Sequence, residues 1–103
     1  MKIIKTISAM IDDEIEGAEE YIKTALQVKE DYPALADMFY NLAREEMGHL
    51  DKLHTAVVKL IKEYRDKHGD PPLGMQALYD YLHESHMKKA SQIQWYLAQY
   101  TEK

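Results

Sequence analysis

Along most of this chain, apolar residues recur at alternating steps of four and three, the spacing of one face of an α-helix. The pattern breaks in two places. Asp31-Tyr32-Pro33 ends the first periodic stretch and puts proline at an early position of the next. His68-Gly69-Asp70-Pro71-Pro72-Leu73-Gly74 ends the second, with a glycine suited to a left-handed cap and prolines behind it. The spacing predicts three helices, over about residues 6–30, 34–68 and 75–101. As helices they would be roughly 37–52 Å long. No alternating strand pattern competes, so the class is all-α, and the short connections force antiparallel neighbours.

In the first segment one row reads Ile7, Ile11, Glu14, Ala18, Tyr21, Ala25, Val28. In the second it reads Leu35, Phe39, Leu42, Glu46, His49, Leu53, Ala56, Leu60, and in the third Tyr79, Leu82, His86, Ala90, Ile93, Leu97, Tyr100. Each row has the form of a packing seam. Glu14, Glu46 and His49 are therefore expected to face the core. An ionised carboxylate there must neutralise, pair or bind a metal. Glu46 and His49, three apart, are neighbours on one helix face. Glu14 lies 18 residues before Tyr32 and Glu46 lies 14 after it, so an antiparallel hairpin brings them to about the same level. A buried ion pair is the plainer explanation of Glu46 and His49; the matching second carboxylate favours a metal site held by Glu14, Glu46 and His49. Tyr21 would hydrogen-bond a ligand carboxylate. Gly17 and Gly48 sit inside helices beside these residues, where each costs ~1 kcal/mol relative to alanine, and close backbone approach is one compensation.

Composition narrows the chemistry. The 103 residues make a single domain spanning 1–103, with a modest core that association would help. There is no cysteine, so disulfides, thiolate sites and thiol catalysis are excluded and any metal must be held by carboxylate, imidazole or water. The net charge of −5 argues against a nucleic-acid partner. The opening MKIIKTISAMIDDE is a poor signal peptide, and no apolar run approaches the roughly 18 residues of a membrane span. The expectation is a cytoplasmic protein that meets no membrane. The acidic run around Asp12, Asp13, Glu16, Glu19 and Glu20 reads as a solvated face, with steering of cations as the alternative.

Glu14 with Tyr21 seven residues later, followed by Glu46-Met47-Gly48-His49 as a Glu-x-x-His, resembles the ferritin-like di-iron carboxylate superfamily, which includes rubrerythrins and encapsulated ferritins. The resemblance covers the first two helices, about two thirds of the chain. A complete site of that kind uses one Glu from each of two helices and a Glu-x-x-His from each of two others. This chain has one of each. The third segment departs from the pattern: it has no Glu-x-x-His, and His86 in His83-Glu84-Ser85-His86 is more readily a hydrogen-bonded histidine than a ligand. The half-count implies the encapsulated-ferritin arrangement, in which two short chains meet on a two-fold axis and each gives half of the ligands. The implied fold is a three-helix antiparallel chain, two long helices in a hairpin plus a third, whose ferritin-like four-helix core is completed by a symmetry-related chain.

The resemblance implies iron as the metal, with Mn as the alternative, and a homodimer or higher homo-oligomer as the assembly. Glu46 would bridge two ions, Glu14 and His49 would terminate them, and Tyr21 would orient Glu14. The implied activity is oxidation of Fe²⁺ with O₂ or peroxide, a ferroxidase-like reaction. Iron binding without turnover and a metal-free helical interaction or assembly protein are the competing readings. An encapsulating shell is not carried over, because Tyr100-Thr101-Glu102-Lys103 carries no evident targeting tail.

Overall fold

A computed structural model describes residues 1–102. It contains α1 (Lys2–Val28), α2 (Pro33–His68) and α3 (Leu73–Thr101), with no strand among the described residues. The helices start and stop where the punctuation residues place them. Pro33 opens α2, where the missing N–H has no intrahelical partner to lose. Gly69 closes it at φ 76° and ψ −163°, a conformation open essentially to glycine alone and not the αL cap expected, its N–H donating to the Arg65 carbonyl at 2.9 Å. Arg65, Lys67 and His68 complement the negative end of that helix. α1 begins earlier than the spacing suggested, because Ile4 extends the buried stripe and is 1 % exposed.

The molecule is a rod of 56 × 18 × 17 Å. α1 and α2 form a closely packed hairpin; α3 lies along α1 and touches α2 at few points. The core runs through Ile11, Ile15, Ala18 and Ile22 of α1, Ala43, Met47 and Leu50 of α2, and Ile93 and Leu97 of α3. The far end of α3 is tied down by Tyr100, whose ring stacks on Tyr40 with centroids 4.6 Å apart and whose hydroxyl donates to Asp37. Burial and the Asp37 contact push the Tyr100 phenol up to about 12. At the other end the Met1 ammonium donates to the Tyr79 hydroxyl at 2.9 Å. No helix among the described residues is long and apolar enough to cross a membrane.

The third row is buried where expected, at Tyr79, His86, Ile93, Leu97 and Tyr100. The second row needs correction by one residue, while in the first Ile7, Ile11, Ala18 and Ala25 are buried as expected and only the polar positions are displaced. In α1 the buried row takes Ile15 and Ile22 in place of Glu14 and Tyr21; in α2 it takes Met47 and Leu50 in place of Glu46 and His49. The physical reason is the width of the apolar stripe. A helix packed on a neighbour buries an arc wider than one row, so two adjacent rows both read as seams. Glu14, Glu46 and His49 therefore lie on the flank of the hairpin and not in the core of the chain. The Glu14 and Glu46 side chains are 24 % exposed and that of His49 54 %.

Candidate metal centre

Glu14 projects from the middle of α1 and meets Glu46 and His49 of α2 across the hairpin. His49 Nδ1 lies 3.3 Å from Glu14 Oε2 and 3.9 Å from Glu46 Oε1. One donor atom from each of the three falls within 4.8 Å of the others, the only such His/Asp/Glu group among the described residues. Ligand atoms about 2.0–2.2 Å from one ion are at most roughly 4.4 Å apart, so small adjustments of these side chains would suffice to hold a cation.

Charge is the costly feature of this site. The Glu46 carboxyl is pushed up to about 7, first by its hydrogen bond with Glu14, then by burial and by the Glu14 charge; the nearby His49 opposes the shift. Two carboxylates this close cannot both ionise cheaply, so the pair keeps a proton up to about pH 7. A divalent cation can take that proton's place. Two carboxylate oxygens and one imidazole nitrogen form a donor set suited to Fe²⁺ or Mn²⁺.

Gly17 makes room for Glu46. A Cβ at Gly17 would stand 3.0 Å from Glu46 Oε2, so the bare backbone lets that carboxylate tuck in beside Glu14. Gly48 meets nothing within 4 Å, and close approach within the chain does not account for it.

Other expected participants stand elsewhere. Tyr21 makes no hydrogen bond to Glu14; its ring stacks on Phe39 with centroids 6.2 Å apart. Seven residues put it about 10.5 Å along the axis from Glu14, too far to orient that carboxylate easily within one chain. His86 is buried and bonded to Asp12 at 3.1 Å, away from the site, as its hydrogen-bonded reading required. His54 stacks on His83 and is also off the site. Much of the acidic run lies off the Glu14 face. Glu16, Glu19 and Glu20 lie about 120–160° around α1 from it, and Glu19 is paired with Lys23.

Compared with protein families, curated proteins and solved structures, the chain finds no match. The ferritin-like resemblance rests on the quoted residues alone.

The surroundings of the site are apolar and open. Ile3 and Met10 on α1, and Leu35 and Met38 on α2, are each 42–49 % exposed. Ile3, Met10, Glu14, Gly17 and Tyr21 share one face of α1, and Leu35, Leu42, Glu46, His49 and Leu53 share one face of α2. Leu42 and Leu53 are only half-buried. The three polar side chains thus sit in an apolar border that the chain leaves uncovered; of these residues, sequence spacing had presented Glu14, Leu35, Leu42, Glu46, His49 and Leu53 as core.

Proposed function

We propose that this chain binds Fe²⁺ through Glu14, Glu46 and His49 and oxidises it in a homodimer whose two copies together complete a two-metal site. The carrying observation is the convergence of one donor atom from each of these three side chains within 4.8 Å, and the raised Glu46 pKa beside Glu14 agrees with it. A structural ion pair explains this less well, because a salt bridge has no use for two acids in mutual repulsion. Mn²⁺ fits the same donors.

The half-site arithmetic supports association. One chain offers two carboxylates and one imidazole; a two-fold axis beside His49 repeats each of them opposite itself. The uncovered border of Ile3, Met10 and Leu35 supplies apolar area to such a contact.

By the Glu-x-x-His resemblance Glu46 would be the bridge, and Glu14 and His49 the terminal ligands. Binding of the substrate cation would displace to solvent the proton shared by Glu14 and Glu46. Carboxylates are hard donors that favour Fe³⁺ over Fe²⁺, which assists transfer of an electron from each Fe²⁺ to O₂ or peroxide. The orienting role expected for Tyr21 within the chain is not part of this reading.

Metal analysis of protein purified without chelator tests binding, with Glu46→Ala as the control. The parent chain should carry about one Fe or Mn and the variant none, with helicity unchanged by circular dichroism. Anaerobic Fe²⁺ addition followed by air then separates turnover from storage, since only turnover gives rapid ferric absorption. A metal-free dimer would favour the interaction-protein reading, which the exposed apolar border also fits.

A further inference from the structure

A second group of imidazoles lies where α3 diverges from α2. A cavity of about 490 Å³ opens there, backed by Ile4 and Ile11 of α1 and walled by Val57 and Ile61 of α2, with His54, His83 and His86 on its lining. His83 and His86 are three apart on α3 and so share a face. His54 reaches them from α2 and stacks on His83 with centroids 5.0 Å apart.

His86 is the best prepared of the three. It is 4 % exposed, and Nε2 lies 3.1 Å from Asp12 Oδ1. Nε2 makes the one side-chain hydrogen bond of His86, and the ring lines the cavity. With Nε2–H donating to the Asp12 carboxylate, Nδ1 presents its lone pair. A carboxylate behind an imidazole is the arrangement that orients metal-bound histidines. Burial also holds the His86 pKa below its ordinary value against the opposing pull of Asp12, which keeps the ring neutral and able to ligate.

We infer that His54, His83 and His86 form a second metal site, for an imidazole-seeking ion such as Zn²⁺, Co²⁺ or Ni²⁺. All-imidazole donation distinguishes it from the carboxylate-rich site of Glu14 and Glu46, because nitrogen donors suit these later ions while carboxylates suit Fe²⁺ and Mn²⁺. Three imidazoles with one position left for water is a recurrent Zn²⁺ coordination set. In the ion-free rotamers the three rings do not converge within 4.8 Å. Binding has to turn the stacked pair inward, and this is sterically open: His83 is exposed and His54 half-buried beside the cavity. The ion would join α2 to α3, the two helices that otherwise touch at few points. The site uses none of the residues of the iron reading and stands or falls separately from it.

The test uses the full chain with Glu46→Ala, stripped of metal and titrated with Zn²⁺ by calorimetry and with Co²⁺ by visible absorption. One Zn²⁺ per chain is expected, with the intense Co²⁺ bands of a tetrahedral nitrogen-rich site and a raised Tm. Adding His83→Ala or His54→Ala should weaken binding at least tenfold; both side chains are accessible, so the fold survives their loss. No Zn²⁺ binding, or binding unchanged by both substitutions, overturns the site. Should Glu46→Ala disturb folding, Zn²⁺ titration of the unsubstituted chain by NMR decides: the ring signals of His54, His83 and His86 shift together, or the assignment is wrong.

Discussion

Replacing Gly17 with alanine should make the metal-free chain more stable and its metal centre worse. Gly17 lies inside α1, where glycine costs ~1 kcal/mol relative to alanine. The substitution therefore contributes up to about 1 kcal/mol, a rise in Tm of roughly 4–8 °C for a domain near this size. Against this stands the new Cβ, 3.0 Å from Glu46 Oε2, 3.5 Å from its Cδ and 3.7 Å from its Cγ. Ordinary contact begins near 3.5 Å, so the carboxylate must withdraw by roughly 0.5 Å. The fold can absorb that shift, since the displaced group is the free end of a flexible side chain. The site cannot do so as cheaply, because ligand constellations tolerate only about 0.5 Å of misplacement. A roughly tenfold loss of Mn²⁺ or Co²⁺ affinity is expected, the low end of what disturbing a ligand's support costs.

Gly48 provides the control, having nothing within 4 Å of its would-be Cβ. Gly48→Ala should give a similar gain in Tm with metal affinity unchanged. Thermal melts in chelator and calorimetric titration of both variants are sufficient. Gly17→Ala binding metal as tightly as the parent would refute the idea that this glycine makes room for a ligand.

Three further outcomes follow from the same geometry. Glu46 ionises natively near 7 against an ordinary 4.5, so between these values the native chain keeps a proton that the unfolded chain has lost; metal-free stability should fall as pH rises from about 4.5 to 7 and then level off, and Glu46→Gln should flatten that slope in urea melts. Metal and association should be linked, so that dilution releases metal and chelation shifts the dimer towards monomer in sedimentation runs at several concentrations. Asp37→Ala should cost about 1–3 kcal/mol by stranding the largely buried Tyr100 hydroxyl, measured by denaturant melts, whereas adding Tyr100→Phe should recover part of the loss.

How far these features are legible in the residues depends on their range. Helix limits are local: Pro33 and Gly69 act through their own backbone geometry, and both mark real ends. The level of Glu14 against Glu46 needs only residue counting about a tight turn, and the two do meet. The choice between Glu14 and Ile15, or between His49 and Leu50, is not local. It depends on the angle at which α2 lies against α1, and an apolar arc two rows wide cannot report that angle. The partners of buried polar groups are equally hidden. Nothing in the spacing joins Asp12 to His86 or Asp37 to Tyr100 across more than sixty residues. The likeness of Gly17 and Gly48 in sequence also concealed a difference, since only one of them faces the opposite helix.

The one-residue shift of the seams bears directly on assembly. The two uncovered faces have apolar residues towards the ends and polar ones in the middle, Glu14 on α1 and Glu46 with His49 on α2. A partner that covers Ile3, Met10 and Leu35 must also cover Glu14, Glu46 and His49, because they lie on the same faces. Covering the apolar ends is favourable at about 25 cal/mol per Å². Covering two acids that already share a proton is not, since desolvation raises the cost of the remaining charge. Metal-free association is therefore opposed at the centre of the contact it gains from at the edges. A divalent ion reverses the sign at the centre by replacing the proton and neutralising both carboxylates. On the proposed reading the ion would in turn gain from the partner, whose copies of Glu14, Glu46 and His49 would complete a ligand set that one chain leaves short. Each event would remove the obstacle to the other, which is the physical content of the linkage expected between metal and dimer.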